Sequence, residues 1–525
     1  MSILIFLIVS YLLLCFTLGK LFEKAGVPSS KAWIPGVNVI EWCKLIGKPT
    51  KEALWLLFPI VNIFTFTGMA VDLVRSFGKF RFVDTALAVI YAPLSFFLTA
   101  RDDKSKYLGP TLKLEADYAH QLAEARTKKD TYLVKKLEAN NPYQKGALRE
   151  WVEAIVFAVF AAAFIRMFLI EAYTIPTSSM ESSLLVGDYL FVSKAHYGIR
   201  TPMTVAQLPL LHNRIPFLDK ESYLKSPSLG YHRLPALTSI KNNDPFVFNY
   251  PEGDSVYVRP ERTFSVHDLR RNPFLQQYLQ GYPLVVRPID KRDHYIKRCV
   301  AIAGDTLEIR NKQLYINGVA ATNPTHLQYT YRVLSSAALN LDKLKEFGVN
   351  ITDNNYQEGL FNLTKEQIEK IKSLDPSIRI EEASPIDPVN DPNRLFPHDP
   401  TNFNKWSVDN FGPLYVPKEG VTVSITPQTI APYRRIIAVY ENNKLEERDG
   451  KIFINEKEAS TYTFQQNYYW AMGDNRHNSE DSRVWGFVPE DHVVGKPLFI
   501  WFSTKNANAA EGIRWDRIFT SANKM

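Results

Sequence analysis

WVEAIVFAVFAAAFIRMFLIEAYTIPTSSMESSLLVGDYLFVSK, residues 151–194, changes character half-way along. Up to Tyr173 it is a nearly unbroken apolar run, long enough for a helix to reach across a bilayer. From Ile175 onward the pattern is short and alternating, with two adjacent serines, Ser178 and Ser179, at the join. Further on, DPFVFNYP (244–251), DSVYVRP (254–260), YPLVVRP (282–288) and HYIKRCVAIAGDTLEIR (294–310) are β-rich runs broken by Pro, Gly and Asn. The expected fold is a mainly β soluble domain of antiparallel sheets, preceded by α-helical transmembrane segments.

Toward the N-terminus, SILIFLIVSYLLLCFTL (2–18) is a second apolar run, followed by Lys20 and Lys24. No charged stretch precedes it and no small-x-small site closes it, so it reads as a retained anchor. Residues 52–73 and 83–100 are further apolar candidates, each interrupted by proline. The expected organisation is then an N-terminal membrane region over 1–100 with two or three apolar segments, a charged helical cytoplasmic segment over 101–150, and a transmembrane anchor over 151–173. The basic 101–150 stretch belongs inside by the positive-inside rule, which leaves residue 175 onward outside. The short loop with Arg75, Lys79 and Arg81 sits badly with four crossings, so 52–100 reads equally as a re-entrant or interfacial pair. Arg166 stands near the outer end of the last span, where a long side chain can snorkel to the interface.

The soluble part divides into a first β portion over 174–324, an inserted subdomain or lid over 325–445, and a second portion over 446–525. Within the insert, LTKEQIEKIKSL (363–374) predicts a helix, and EASPIDPVNDPNRLFPHDPTN (382–402) is rich in Pro, Asp and Asn. NKQLYINGVA (311–320) and GKIFINEKEA (450–459) echo one another, each as a hairpin turning at Asn. Among 525 residues, 62 Lys and Arg against 55 Asp and Glu leave a net charge of +7. Those charges form no basic stripe with interleaved aromatics, so nucleic acid is not an expected partner. Cys15, Cys43 and Cys299 make neither a disulfide framework nor a CxxC pair, and no metal or other cofactor is expected.

Candidate chemistry starts from what is missing. There is no GxSxG, GDSGG, HExxH or P-loop, and His196, His267 and His294 sit in neighbourhoods that suggest packing. His477, inside the polar loop DNRHNSED, is a minor candidate base. A serine can be activated by a neutral lysine instead, provided that burial pulls the lysine pKa toward neutrality. In HYIKRCVAI, a strand would put Lys297 on one face with Tyr295, Cys299 and Ala301, and Arg298 on the other with Ile296 and Val300. Lysine on an apolar strand face is unusual; an exposed edge lysine that blunts aggregation is the alternative.

Four stretches in order, FIRMFLIEAYTIPTSSMESSLLVGDYLFVSK, NDPFVFNYPEGD, YIKRCVAIAGDTLEI and MGDNRHNSEDSRVWGFVPEDHVVGKPLFIWFS, resemble the sequence boxes of bacterial type I signal peptidase, the membrane-bound Ser-Lys leader peptidase. The long insertions resemble those of the larger Bacteroidetes-type enzymes of that family. By this resemblance, Ser179 is the nucleophile and Lys297 the general base. Thr177 and the Ser179 N–H form the oxyanion hole, and Ser479 orients the lysine. Asp481 and Arg483 support the loop, Gly473, Asp474 and Asn475 shape its turn, and Ile175, Pro176 and Ile296 wall shallow pockets for small side chains. Ser182 stands where the family commonly has proline.

The same resemblance implies a serine endopeptidase that removes signal peptides from exported preproteins. Its partners would be those preproteins, the lipid bilayer and the secretion machinery. It would be multi-pass in the bacterial cytoplasmic membrane, with the catalytic domain on the periplasmic side. Two readings stand against it: a non-catalytic membrane-tethered β-domain scaffold of the envelope, and a self-cleaving Ser-Lys protein of related fold.

Overall fold

The computed structural model describes residues 2–522 except 58–60, 145–146, 217, 219, 260–261, 337, 352–357 and 384–393. Residues 384–393 of the Pro/Asp/Asn-rich run over 382–402 therefore lie outside the described residues. The chain forms two compact units, Met1–Val156 and Phe157–Met525.

The first unit is helical. Its helices are α1 (Ser2–Lys24), α2 (Val37–Ile46), α3 (Val61–Ser76), α4 (Phe82–Ile90), α5 (Ala92–Arg101), α6 (Thr111–Thr127) and α7 (Thr131–Ala139), and α8 (Ala147–Phe168) starts in it. Leu18, Leu21 and Phe22 of α1 share a core with Trp42, Met69, Leu73 and Phe96. Trp42 is edge-on to Phe66 and Phe96, with ring centroids 5.6 and 5.4 Å away, and its Nε1 donates to the Met69 carbonyl at 3.1 Å. The boundary expected at residue 100 is not a break, because α6 belongs to this same unit.

Two expected spans are corrected. Residues 52–73 divide between a 3₁₀ turn at Thr50–Leu57 and α3, and residues 83–100 divide between α4 and α5 at Tyr91. Pro93 explains the second break, since proline lacks the N–H that would continue the helix and constrains its predecessor. A nine-residue helix is roughly 14 Å long, about half the hydrocarbon thickness. Glu150–Phe168 is a stretch of helix long and apolar enough to cross a membrane.

The second unit is built on a seven-stranded antiparallel sheet. Its strands are β1 (Ile170–Thr174), β2 (Asp188–Ser193), β3 (Pro245–Asn249), β4 (His294–Ala301), β5 (Tyr468–Met472), β6 (Val488–Pro489) and β7 (Val493–Ser503), in spatial order β1-β2-β7-β3-β4-β5-β6. All five residues of β3 and the last five of β4 are buried, as expected for central strands covered on both faces. A second sheet carries the first hairpin of the sequence echo, Gln313–Ile316 with Val319–Ala320. Its turn, Asn317-Gly318, and that of the other hairpin, Asn455-Glu456, have positive φ at both residues, the geometry that matches the twist of paired strands.

The insert expected over 325–445 is not one body. Tyr329–Leu334, Leu360–Leu363 and Arg379–Glu382 form a three-stranded sheet whose own core includes Val333, Phe361 and Ile371. The predicted helix is there as Lys365–Lys372, capped by the Thr364 side chain at the Gln367 N–H. Phe411–Tyr415, however, pairs with Thr306–Arg310 in the second sheet, so the later part of the stretch is integral to the β domain.

Candidate active site

Strand β1 runs antiparallel to β2 from Ile170↔Ser193 to Thr174↔Tyr189. Proline at 176 cannot donate to the ladder, and the chain leaves the sheet into a one-turn 3₁₀ segment, Ser178–Met180. The return to β2 passes Gly187 at φ +90°, where a Cβ would stand 2.2 Å from the Thr504 carbonyl oxygen; no other residue fits. Ser179 is thereby held at the end of β1 and beside β4.

Lys297 faces Phe246 of β3 across the sheet and is 5% exposed. Its Nζ donates a hydrogen bond to Ser179 Oγ. Tyr295 is on the same side, its ring centre 5.8 Å from Nζ, and packs with Phe248 and Trp485. Burial pulls the Lys297 pKa from an ordinary 10.5 down to about 8, opposed by the negative field of Asp481, Glu480 and Asp474. A hydroxyl and a dry amine of lowered basicity in direct contact can exchange a proton near neutral pH.

The loop 473–483 wraps this pair. Asn475 N donates to the Ser179 carbonyl at 3.1 Å and Asn475 Nδ2 to the Ser178 carbonyl at 3.3 Å. Asn478 Nδ2 donates to Ser178 Oγ at 3.1 Å, so the first serine of the pair is anchored while the second meets the lysine. Gly473 packs so closely that a Cβ would lie 2.3 Å from Ser479 Oγ and 2.4 Å from the Ser179 carbonyl oxygen. Fully buried Asp481 accepts from Gly473 N at 3.0 Å, from Arg483 Nε at 2.9 Å and from Arg483 Nη2 at 2.8 Å. Arg483 Nη2 also donates to the Arg476 carbonyl at 2.5 Å, closing the loop on itself.

Thr177 Oγ1 is 3.5 Å from Ser179 Oγ. Ile175 is buried among Met180, Leu184 and Val247, Ile296 is half-buried against the same cluster, and Pro176 is exposed. Two expectations are corrected. Ser479 does not hydrogen-bond Lys297: its Oγ is pressed against Gly473 and has no partner among the described residues. His477 is not placed as a base, because both ring nitrogens are used elsewhere, Nδ1 accepting from Thr330 N at 3.1 Å and Nε2 meeting Asp409 Oδ1 at 2.9 Å.

Arg298 had no role in the sequence reading beyond facing away from Lys297. It forms a two-point ion pair with fully buried Asp474, Nε to Oδ1 at 2.8 Å and Nη2 to Oδ2 at 2.5 Å. Ser183 Oγ donates to the same carboxylate at 2.6 Å. Alternation along β4 puts 298 opposite 297, but only the fold shows that Asp474 waits there.

The model of the family described as signal peptidase, peptidase S26 matches residues 148–372 and 418–502, more than half of the chain. The chain belongs to that family. It is a serine peptidase, a hydrolase of the bacterial type I signal peptidase kind. The chain is similar to Signal peptidase I of Helicobacter pylori, 25% identical over 388 residues covering 71% of this chain and 90% of that protein. It is also similar to Signal peptidase I of Haemophilus influenzae, at 25% over 372 residues, 70% of this chain and 74% of the relative. That of Buchnera aphidicola subsp. Baizongia pistaciae matches at 22% over 373 residues, 70% and 81%. Both stretches matched to the family model contain site residues, Ser179 and Lys297 in the first and loop 473–483 in the second. Residues 30–110, in the helical unit, match a family of unknown function (DUF5684).

Proposed function

We propose that this peptidase removes signal peptides from exported preproteins through a Ser179–Lys297 dyad, while tethered to the bacterial cytoplasmic membrane by α8. The observation that carries the reading is the hydrogen bond between Lys297 Nζ and Ser179 Oγ, made by a buried amine of lowered pKa.

In this mechanism neutral Lys297 takes the Ser179 proton as Oγ attacks the scissile carbonyl, and a tetrahedral intermediate forms. The Ser179 N–H and the Thr177 hydroxyl receive its oxyanion; one such donor is typically worth ~2.7–4 kcal/mol. The lysine passes its proton to the leaving amine, freeing the mature chain, and then activates the water that releases the acyl-enzyme. By the family resemblance, Ile175 and Ile296 wall the shallow pockets that take small side chains of the precursor.

Tethering gives the placement its sense. Eleven positions separate Phe168, the last residue of α8, from Ser179. A precursor held in the bilayer by its own apolar segment presents its cleavage site at that same level, so confinement supplies much of the orientation. The β domain then lies on the outer side of the membrane. The proposal needs one crossing, by α8.

Cleavage of a preprotein by the detergent-solubilised full chain tests the dyad. Ser179→Ala and Lys297→Ala should each abolish processing while the circular dichroism and melting of the protein stay native. Unchanged processing by Lys297→Ala would remove the mechanism. A correctly folded wild-type chain that cuts no precursor would favour the scaffold reading.

A further inference from the structure

Beside β1 and the end of α8, the second unit contains a cavity of about 350 Å³ with two unlike walls. One wall is helix: Phe160, Ala163, Phe164 and Met167, at spacings of three and four, present one face of α8 to it. The other wall is cationic, with Arg166, Lys194, Arg200 and Lys291 against two carboxylates, Glu171 and Asp290. Two histidines complete the floor and add no charge: burial pushes His212 down to about 4 and His294 well below its usual value.

The carboxylates are already engaged. Glu171 Oε1 accepts from Arg166 Nε at 2.7 Å and Oε2 pairs with Lys194 Nζ at 2.7 Å, while Asp290 accepts from Thr204 N at 2.9 Å and from its Oγ1 at 2.8 Å. Lys291 is the anomaly. It is 3% exposed, its Nζ donates to the neutral Gln207 side chain, and it stands 5.4 Å from the centre of the Tyr223 ring. Among the described residues no carboxylate comes within ion-pair distance of it. Buried ammonium groups are ordinarily paired, and burial here drags the Lys291 pKa down, opposed by Asp290. A buried amine with no ion-pair partner among the described residues, in a cavity whose formal charge is positive, fits an anion.

We propose that this cavity seats an anionic phospholipid of the outer leaflet, its phosphate on Lys291 and the start of an acyl chain along Phe160 and Phe164. The shared chemistry is a phosphate oxyanion, and the wall of α8 selects a lipid as its source: free phosphate has nothing to place against phenylalanines of a membrane-crossing helix. The inference rests on α8 crossing the membrane, as proposed above. Loop 202–212 supplies the cavity's remaining side.

The test uses the full chain in nanodiscs of phosphatidylcholine with a minor fraction of phosphatidylglycerol, the lipid retained on the protein being measured by native mass spectrometry. Wild type should retain phosphatidylglycerol over phosphatidylcholine by about tenfold or more, as expected for a charge-assisted contact. Lys291→Gln should lose that preference and Lys291→Arg should keep it, and comparing these two at equal melting temperature separates charge from folding. Equal retention of both lipids by wild type would overturn the proposal, as would undiminished preference in Lys291→Gln. Displacement of the lipid by millimolar inorganic phosphate would reassign the site to free phosphate and overturn the lipid assignment. Preprotein cleavage on the same discs keeps the two readings apart: cleavage without lipid preference sinks this inference alone, and preference without cleavage sinks the peptidase reading alone. Cysteines placed at either end of α8 and labelled from one face of the disc report the crossing independently.

Discussion

The Arg298 guanidinium grips the Asp474 carboxylate at two points, 2.8 and 2.5 Å, one residue along β4 from Lys297. Strand and loop are riveted together there, and the rivet lies behind the serine–lysine contact. Removing one partner of a buried ion pair strands a charge and typically costs ~3–5 kcal/mol. Arg298→Met should therefore lower the melting temperature severely, because Asp474 is fully buried and, among the described residues, its carboxylate keeps only the Ser183 hydroxyl. Asp474→Asn should do less harm, since the amide still accepts one guanidinium hydrogen bond. Paired thermal melts check the order.

The pH dependence follows from Lys297. Its pKa in the folded chain is about 8, against an ordinary 10.5, and burial is the chief cause. If the neutral amine is the working form, kcat/KM should climb about tenfold per pH unit up to roughly 8 and then level off. The stability linkage has the same sign. Between about 8 and 10.5 the unfolded chain holds more protons on this group than the folded chain, so the lysine's contribution to stability rises with pH across that window. Below about 8 the folded protein bears the full penalty of a buried ammonium, on the order of 3 kcal/mol. A pH–rate profile whose rising limb fell near 6 would point to a histidine and count against the dyad.

Ser182 adopts φ +73°. Proline, which the family commonly carries at this place, holds φ near −65° and cannot take that conformation. The departure noted in the sequence is thus a different turn, not merely a looser one. Ser182→Gly should be neutral or stabilise by up to about 1 kcal/mol, because glycine occupies the left-handed region without strain. Ser182→Pro should cost about 3 kcal/mol or more and impair cleavage, since Ser183 next to it serves Asp474. Urea titration of both variants decides the matter.

Asp409 belongs to the stretch between the two family-like portions, yet it touches the loop of the site through His477, and the Phe396 N–H reaches the Arg483 carbonyl at 2.8 Å. The inserted chain is therefore a brace on the loop 473–483. Asp409→Ala should destabilise by about 1–3 kcal/mol and lower kcat, whereas Asp409→Asn, which still accepts from His477 Nε2, should come close to wild type. Neither change touches Lys297, so the rising limb of the pH–rate profile should stay where it is.

What could be read from the residues was local. Alternation in 294–301 separated Lys297 from Arg298, and Asn at 317 and 455 marked two hairpins, because strand period and turn chemistry are written in neighbouring letters. The four boxes marked Ser179, Lys297 and the 473–483 loop. Long-range pairings were not legible: Asp474 with Arg298, Asp409 with His477 and Phe411–Tyr415 with Thr306–Arg310 each join segments separated by about seventy to nearly two hundred positions. Apolar content over 52–100 suggested spanning helices or a re-entrant pair, and residues 83–100 form two short helices that meet at Tyr91, beside Pro93. Ser479 was placed by resemblance alone, and its hydroxyl stands beside Gly473 instead of on the lysine.

Two neighbouring serines invite a direct comparison. Ser178 Oγ accepts from Asn478 Nδ2 at 3.1 Å and is buried, whereas Ser179 Oγ receives the lysine. Ser178→Ala removes one ordinary hydrogen bond, worth about 1 kcal/mol, and its methyl group fits the space the serine leaves. That variant should keep most of its activity with a modest loss of stability. Ser179→Ala takes away the atom that would attack and should leave no measurable turnover, while melting close to wild type. A fluorophosphonate or other serine-directed acylating probe should label the wild type and Ser178→Ala but not Ser179→Ala. Labelling that persisted in Ser179→Ala and vanished in Ser178→Ala would move the nucleophile by one position and break the link between Lys297 and catalysis, because Ser178 Oγ is tied to the loop and not to the amine.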